Sequence, residues 1–110
     1  MSEPEIHLLT VVAEAVLEDR LVREVSALGA TGWTVTPCRG HGSGGGHPGD
    51  FEGGNVRVEV LVPTDRLEAV WALLERNYFD RYSTVAWSAP VRVRRAGKYS
   101  GEPSDPRVQS

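Results

Sequence analysis

Hydrophobic and polar positions along the chain form short runs with two different periods. Residues 6–12 are almost continuously apolar, which is typical of a buried strand. The next apolar residues recur every three or four positions, which predicts one buried side of a helix that Gly29 can end. The positions of this helical stripe are Leu17, Leu21, Val22, Val25 and Leu28.

Strict alternation predicts two more strands, one on each side of a glycine-rich segment. Trp33 and Val35 alternate with threonines, and the valines from Val56 to Val62 alternate with Arg57, Glu59 and Leu61. A second helix follows, and residues 65–68 resemble a capping box with Asp65 in place of serine or threonine. Its apolar stripe is Leu67, Val70, Trp71, Leu74 and Tyr78.

The last predicted strand covers about residues 84–95, where Pro90 indicates an edge position, a bulge or two short strands. The order β-α-β-β-α-β predicts an α+β, ferredoxin-like fold, with a four-stranded antiparallel sheet and two helices on one face. The other face then needs a cover, and we expect self-association. Residues 1–99 form the predicted domain. Residues 100–110 lack the periodicity, and we expect them to form a disordered tail.

Composition narrows the setting of this domain. No apolar run approaches the roughly 18 residues of a spanning helix, so we expect no membrane insertion. The chain has one cysteine and no basic, apolar export signal at its start, which predicts a cytoplasmic protein without disulfides. A net charge of −3 argues against a nucleic-acid partner, which would require a basic face.

The glycine-rich segment at about residues 39–55 is the main indication of function. It holds eight of the twelve glycines, and its exposed backbone N–H groups suit anions such as phosphate. The only concentrated positive patch lies on the last predicted strand, where Arg92 and Arg94 share a face and Arg95 and Lys98 follow. Two such arginines can bind a polyphosphate, and a solvated strand edge paired with carboxylates is the alternative.

Other chemistries find less support in the sequence. His41, His47, Cys38 and Asp50 have no usual zinc spacing, and Cys38 has no evident base to make it a nucleophile. The glycine segment lacks a following Gly-Lys-Ser/Thr, and no paired carboxylates indicate hydrolysis. The sequence thus carries no recognisable catalytic motif.

Several segments resemble a known family. Residues 29–36, followed by residues 39–43, resemble the strand and T-loop entry of PII signal-transduction proteins. Residues 78–83 and 92–99 are similar to the PII-like group associated with bicarbonate transport and carboxysomes. The resemblance covers about residues 5–99. The glycine-and-lysine loop of other PII proteins after the second helix is absent, as is the C-terminal cysteine pair of some bicarbonate-linked relatives.

The resemblance implies a non-catalytic homotrimer whose three sheets face inward. AMP, ADP, ATP or cyclic AMP would bind as effector in clefts between neighbouring subunits, and bicarbonate is a further implied ligand. The T-loop at about residues 39–55 would change its order with the ligand and thereby select a partner, such as a membrane transporter for inorganic carbon or a carboxysome component.

The resemblance also implies individual site residues. Thr34 matches the family position on the second strand that contacts the nucleotide. The T-loop entry matches the segment that contacts the phosphates, and within it His41 occupies a position where relatives often carry lysine. Tyr82 and Ser83 match the loop that lines the base, although a core or interface tyrosine is the alternative. The implied binding residues are Thr34, Arg39, Gly40, His41, Gly42, Ser43, Tyr82, Ser83, Arg92, Arg94 and Lys98.

Two other functions fit the same fold class, because a fold alone does not determine function. The first is a ferredoxin-like trimer that binds a metal or turns over a small substrate. The second is a structural interaction protein whose glycine segment contacts a partner without any effector.

Overall fold

A computed structural model describes residues 5–40 and 54–94, and within them the order β-α-β-β-α-β is confirmed. A 3₁₀ turn joins the first strand to the first helix, and a π-helical turn extends the second helix. The strands and helices are β1 (Ile6–Glu14), α1 (Glu18–Ala27), β2 (Trp33–Cys38), β3 (Asn55–Pro63), α2 (Thr64–Leu74) and β4 (Val85–Val91).

The four strands form one antiparallel sheet in the order β2-β3-β1-β4. β1 lies in the centre and pairs with both β3 and β4, so β2 and β4 are the two edges. Pro90 lies in β4, which is an edge strand. Of the three settings predicted for this proline, the structure shows the edge position. An edge strand tolerates proline because one side of its backbone needs no donor for the sheet.

Both helices cover the same face of the sheet, as the period-2 pattern predicts. Directly opposed residues of antiparallel strands share a face, so Val11 and Val58 point together toward the helices. Leu21 and Val25 of α1 and Leu74 of α2 close the other side of this layer. The buried core comprises Leu9, Val11, Ala13, Leu17, Leu21, Val25, Ala30, Val56, Val58, Val60, Val62, Leu67, Val70, Leu73, Leu74 and Tyr78.

Gly29 ends α1, as predicted. Its φ of 104° is a conformation that glycine adopts at little cost. The Gly29 N–H donates to the Ser26 carbonyl at 3.1 Å, and the Ala30 N–H donates to the Val25 carbonyl at 3.2 Å. These two bonds are those of a Schellman motif, which satisfies carbonyls at the end of the helix.

The predicted capping box of α2 is wrong. The helix begins at Thr64, directly after Pro63 of β3, so Asp65 is its second residue and not its N-cap. The Thr64 N–H instead donates to the Glu5 carbonyl at 3.1 Å, and Thr64 Oγ1 lies 3.1 Å from His7 Nδ1. The neighbouring strand thus satisfies the amide that a side-chain cap would otherwise serve.

The last strand is shorter than predicted, which corrects the placement of Arg92 and Arg94 on a strand face. β4 ends at Val91, which pairs with Ile6, the first residue of β1. The pairing of β1 with β4 thus ends at Val91, and both arginines follow the strand instead of lying in it.

The face opposite the helices, here called the helix-free face, is divided between polar and apolar halves. Near β2 it carries Thr34 opposite Glu59 and Thr36 opposite Arg57. Near β4 it is apolar, and there Val85 and Trp87 are 55% and 48% exposed. Among the described residues, neither helix has the length and apolar content needed to cross a lipid bilayer.

Three glycine variants separate the two physical demands on Gly29. A Cβ at Gly29 would meet both an unfavourable φ and the Arg66 guanidinium, whose Nη1 would lie 2.8 Å away. Gly54 has φ of 75° but open space around it, and Gly40 has open space without a positive φ. We expect Gly29→Ala to lower the free energy of unfolding by roughly 2 kcal/mol and Gly54→Ala by about 1 kcal/mol.

Urea unfolding at one fixed protein concentration measures these differences, with Gly40→Ala as the near-neutral control. Equal stability of the Gly29→Ala and Gly40→Ala variants would contradict this account of the end of α1.

Candidate functional site

The structure places the predicted binding residues in three regions. Thr34 lies on the helix-free face of β2, and Arg39 and Gly40 follow that strand directly; all three are exposed. Tyr82 and Ser83 precede β4, and Arg92 and Arg94 follow it. His41, Gly42, Ser43 and Lys98 lie outside the described residues.

One protomer does not bring these regions together. β2 and β4 are opposite edges of the sheet, separated by β3 and β1, which corresponds to about 14 Å at the usual strand spacing. Since β2 and β4 run in opposite directions, Gly40 and Ser83 lie at the same end of the sheet, whereas Arg92 and Arg94 lie at the other. The predicted site therefore consists of two separate halves in a single chain.

A groove of about 300 Å³ opens beside β2 at the helix-free face. Its position follows from the register, because Thr34 lies opposite Glu59 and Leu8 lies opposite Leu61. The residues that line this β2 groove are Leu8, Gly32, Trp33, Thr34, Glu59 and Leu61.

The β2 groove combines apolar walls with two polar groups. Leu8 and Leu61 offer aliphatic surface, whereas Trp33, opposite Val60 in the register, borders the groove from the edge of β2. The Thr34 hydroxyl can donate or accept a hydrogen bond, and the Glu59 carboxylate can accept. Glu59 Oε2 also lies 3.4 Å from Arg57 Nη2, an exposed ion pair that leaves its other oxygen for a ligand. Such a groove suits a flat heteroaromatic ring with an amino group.

Of the residues that line the β2 groove, only Thr34 was predicted from the sequence. Alternation along β3 already places Glu59 and Leu61 on one face, opposite the buried valines. The missing information was the pairing of β2 with β3 and of β3 with β1, which alternation within one strand does not provide.

Tyr82 belongs to a cluster between α1 and the segment before β4. Arg20 Nη1 donates to the Tyr82 hydroxyl at 3.3 Å, and Arg20 Nε lies 3.5 Å from Glu24 Oε2. The Tyr78 hydroxyl donates to Glu24 Oε1. Tyr82 is half-buried and packs against the core, whereas Ser83 is exposed. These four residues, Arg20, Glu24, Tyr78 and Tyr82, are called the tyrosine cluster below.

Ionisation states are well defined in the tyrosine cluster. Burial raises the pKa of the Tyr78 phenol far above its usual value, and its hydrogen bond to Glu24 raises the pKa further. The hydrogen bond to Tyr82 raises the pKa of the Arg20 guanidinium, which therefore stays charged. The cluster thus keeps a neutral phenol and a fixed cation at any physiological pH.

The described residues hold no group of three or more histidine, cysteine or carboxylate side chains that could bind a metal ion. Cys38, at the end of β2, is a half-exposed thiol outside any disulfide. The other three residues of the hypothetical metal site, His41, His47 and Asp50, lie outside the described part of the chain.

Comparison with known proteins identifies relatives over most of the chain. The family model for the nitrogen regulatory protein P-II matches residues 6–98. A PII-like signaling protein from Thermus thermophilus is 40% identical, and the match covers 90% of this chain and 99% of that one with a TM-score of 0.75. A search of curated protein sequences found no match.

Two more distant structures share the fold. CPII from Thiomonas intermedia, bound to ADP and bicarbonate, is 20% identical over 89% of this chain and 97% of its own, with a TM-score of 0.75. The GlnK–ATP complex of B. subtilis is 12% identical over 83% and 85%, with a TM-score of 0.61. At these identities the similarity concerns the architecture alone.

Proposed function

We propose a non-catalytic signalling function for this chain, which belongs to the nitrogen regulatory protein P-II family. In this proposal it binds an adenine nucleotide, AMP, ADP, ATP or cyclic AMP, in a cleft between two subunits. The observation that carries the proposal is the β2 groove, in which Thr34, expected at a nucleotide from the sequence, lies beside apolar walls and a carboxylate.

The groove accounts for recognition of the base. Leu8 and Leu61 provide surface against which a purine ring can pack. The exocyclic amine of adenine has two N–H donors, for which Thr34 Oγ1 and the Glu59 carboxylate are acceptors at the same edge of the sheet. The groove therefore offers an adenine base both a packing surface and acceptors for its amine.

The phosphates require groups that lie outside the groove. Arg39 and the Gly40 N–H follow β2 on the same edge, and Arg92 and Arg94 follow β4 on the other edge. A second copy that places its β4 edge beside this β2 edge adds its own arginines to the same subunit boundary. Forked arginine donors and backbone amides are both suited to phosphate oxygens.

A trimer provides this arrangement and also covers the helix-free face. Trp87 and Val85 are about half exposed there, and Leu8, Val12 and Ala89 continue the apolar half across β1 and β4. Large apolar surfaces of this kind are usually interaction sites. Three copies with their sheets facing inward bury this half and leave the β2 groove at a subunit boundary.

The same proposal extends to bicarbonate and to a partner protein. The similarity of residues 78–83 and 92–99 to the PII-like group linked to bicarbonate transport and carboxysomes supports it, as does the architecture shared with CPII, whose structures contain ADP, AMP and bicarbonate. The T-loop at about residues 39–55 would contact an inorganic-carbon transporter or a carboxysome component. The ligand would act by binding more tightly to one state of this loop than to another.

Titration calorimetry with AMP, ADP, ATP and cyclic AMP tests the proposed function. Thr34→Val removes one hydroxyl from the groove at nearly constant volume, so we expect the affinity for the best nucleotide to fall roughly tenfold. Thr36→Val changes the same strand and face one pair away from the groove, and it should leave affinity unchanged. Absence of heat with all four nucleotides, or equal effects of the two variants, would refute the placement of the base.

A second variant pair tests the phosphate contacts. Replacing both Arg92 and Arg94 with alanine should weaken binding by roughly 3–6 kcal/mol, at about 1.5–3 kcal/mol for each charge-assisted bond. Replacing the exposed helix residues Arg23 and Arg76 makes the same change in net charge at a distance and should have little effect. Comparable losses in both double variants, measured by calorimetry at fixed ionic strength, would show a general effect of charge.

Analytical ultracentrifugation tests the trimer. Trp87→Asp places a charge in the apolar half of the helix-free face, and we expect the trimer to dissociate into folded monomers. Val16→Asp is the control, because Val16 is 83% exposed and lies in the turn between β1 and α1. A monomeric wild type, or a trimeric Trp87→Asp variant, would contradict this arrangement.

A further inference from the structure

The tyrosine cluster joins two pairs of residues that are each four positions apart. Arg20 and Glu24 lie on one side of α1, and Tyr78 and Tyr82 lie at the end of the second helical segment. The Arg20 guanidinium lies 5.2 Å from the centre of the Tyr78 ring and 6.0 Å from that of the Tyr82 ring. The two rings are 6.1 Å apart, so one cation is shared by both.

The two tyrosines have different attachments. Tyr78 is fully buried, and its hydroxyl donates to Glu24, so it is held by the core. Tyr82 is half-buried, and its hydroxyl accepts from Arg20 on the neighbouring helix. Arg20 therefore connects the segment 80–84 to α1.

The backbone of the segment is closed by local hydrogen bonds. The N–H groups of Arg81 and Tyr82 donate to the Tyr78 carbonyl at 3.1 and 2.9 Å, and the Thr84 N–H donates to the Tyr82 carbonyl at 2.8 Å. Such short turns are marginal alone, because few buried contacts hold them. A fixed Tyr82 side chain determines where this turn, and the exposed Ser83 on it, lie relative to the β4 edge.

We propose that Arg20 is a positioning residue that holds the segment 80–84, including Tyr82 and Ser83, in the conformation in which a second subunit presents it to a bound nucleotide. The inference rests on the proposed function, because it assigns this segment to the β4-side half of the nucleotide site. Arg20 does not contact the nucleotide. It acts through the Tyr82 hydroxyl, so that the half-site is formed before the ligand binds.

Arginine is suited to this position by its geometry. Its planar group donates to Tyr82 through Nη1, faces Glu24 through Nε and lies near the faces of two rings. The single ammonium of lysine cannot make these contacts together. Arg20→Lys, which keeps the charge, should therefore behave like Arg20→Met, which removes the charge and keeps much of the aliphatic stem.

Hydrogen–deuterium exchange of the full-length protein without nucleotide tests the positioning step alone. The reporters are the N–H groups of Arg81, Tyr82 and Thr84, and the buried Ala30 N–H, bonded to Val25, reports on whether α1 itself is loosened. In Arg20→Met we expect the three reporters to exchange about tenfold faster or more, with Ala30 unchanged. Arg23→Met, an exposed arginine on the same helix, is the matched control and should change none of them.

Calorimetry with ADP then tests the link to the site. Tyr82→Phe removes only the hydroxyl that accepts from Arg20, and both Tyr82→Phe and Arg20→Met should weaken ADP binding by about tenfold, whereas Arg23→Met should not. Unchanged exchange at residues 81, 82 and 84, or an equal rise at Ala30, would overturn the positioning role. Faster exchange with unchanged ADP affinity would overturn its link to the nucleotide.

The two claims fail in different ways. A wild-type protein that binds no adenine nucleotide would refute the proposed function, and with it the presentation of segment 80–84 to a nucleotide. The exchange measurement would still decide whether Arg20 holds the segment.

Discussion

The register of the central pair β1 and β3 is the constraint on which the rest of this structure depends. The two strands pair from Ile6 opposite Pro63 to Glu14 opposite Asn55 without interruption. This register sends the four valines of β3 toward the helices and Arg57, Glu59 and Leu61 toward the helix-free face. A slip of one residue would bury Arg57 and Glu59 among the helices, at the high cost of desolvating charges. The core and the β2 groove thus have the same origin.

The sheet order then determines what one chain can and cannot assemble. Placing β1 and β3 in the centre puts β2 and β4 at opposite edges, so the residues after each of these strands cannot meet within one protomer. The helices add a second consequence, because α1 contributes to the core through Leu21 and Val25 and contacts the segment before β4 through Arg20. The conformation of that segment is therefore linked to the packing of α1 on the helix-covered side of the sheet.

Much of this architecture could be predicted from the sequence, because period and burial are local properties. Leu67, Val70 and Leu74 are buried as the stripe of α2 predicts, and Gly29 ends α1 as predicted. The errors arose where a distant strand supplies the missing partner. Glu5 and His7 replace the predicted Asp65 cap, and β4 ends where β1 begins. Neither relation is visible within a window of sequence around the residue concerned.

The same distinction between local and long-range information applies to the candidate site. Thr34 could be assigned by resemblance, but Leu8, Glu59 and Leu61 come from two other strands and join it only through the register. Tyr82 left two alternatives open in the sequence, and the structure places it against the core while its hydroxyl remains bonded to Arg20. The binding roles assigned to all of the implied site residues, Thr34 and Tyr82 included, stay predictions.

Assembly and ligand binding cannot be independent if the helix-free face serves both. Its polar half borders the β2 groove, and its apolar half carries Trp87. The two halves meet at Thr10 of β1, which is only 2% exposed and is paired with Glu59 on one side and Trp87 on the other. A ligand that contacts two subunits binds the assembled state more tightly than the separated one. Thermodynamic linkage makes these two effects equal. The free energy by which the ligand stabilises the assembly is the free energy by which assembly strengthens binding of the ligand. Ligand binding in the groove and assembly of the proposed trimer would consequently be two linked equilibria.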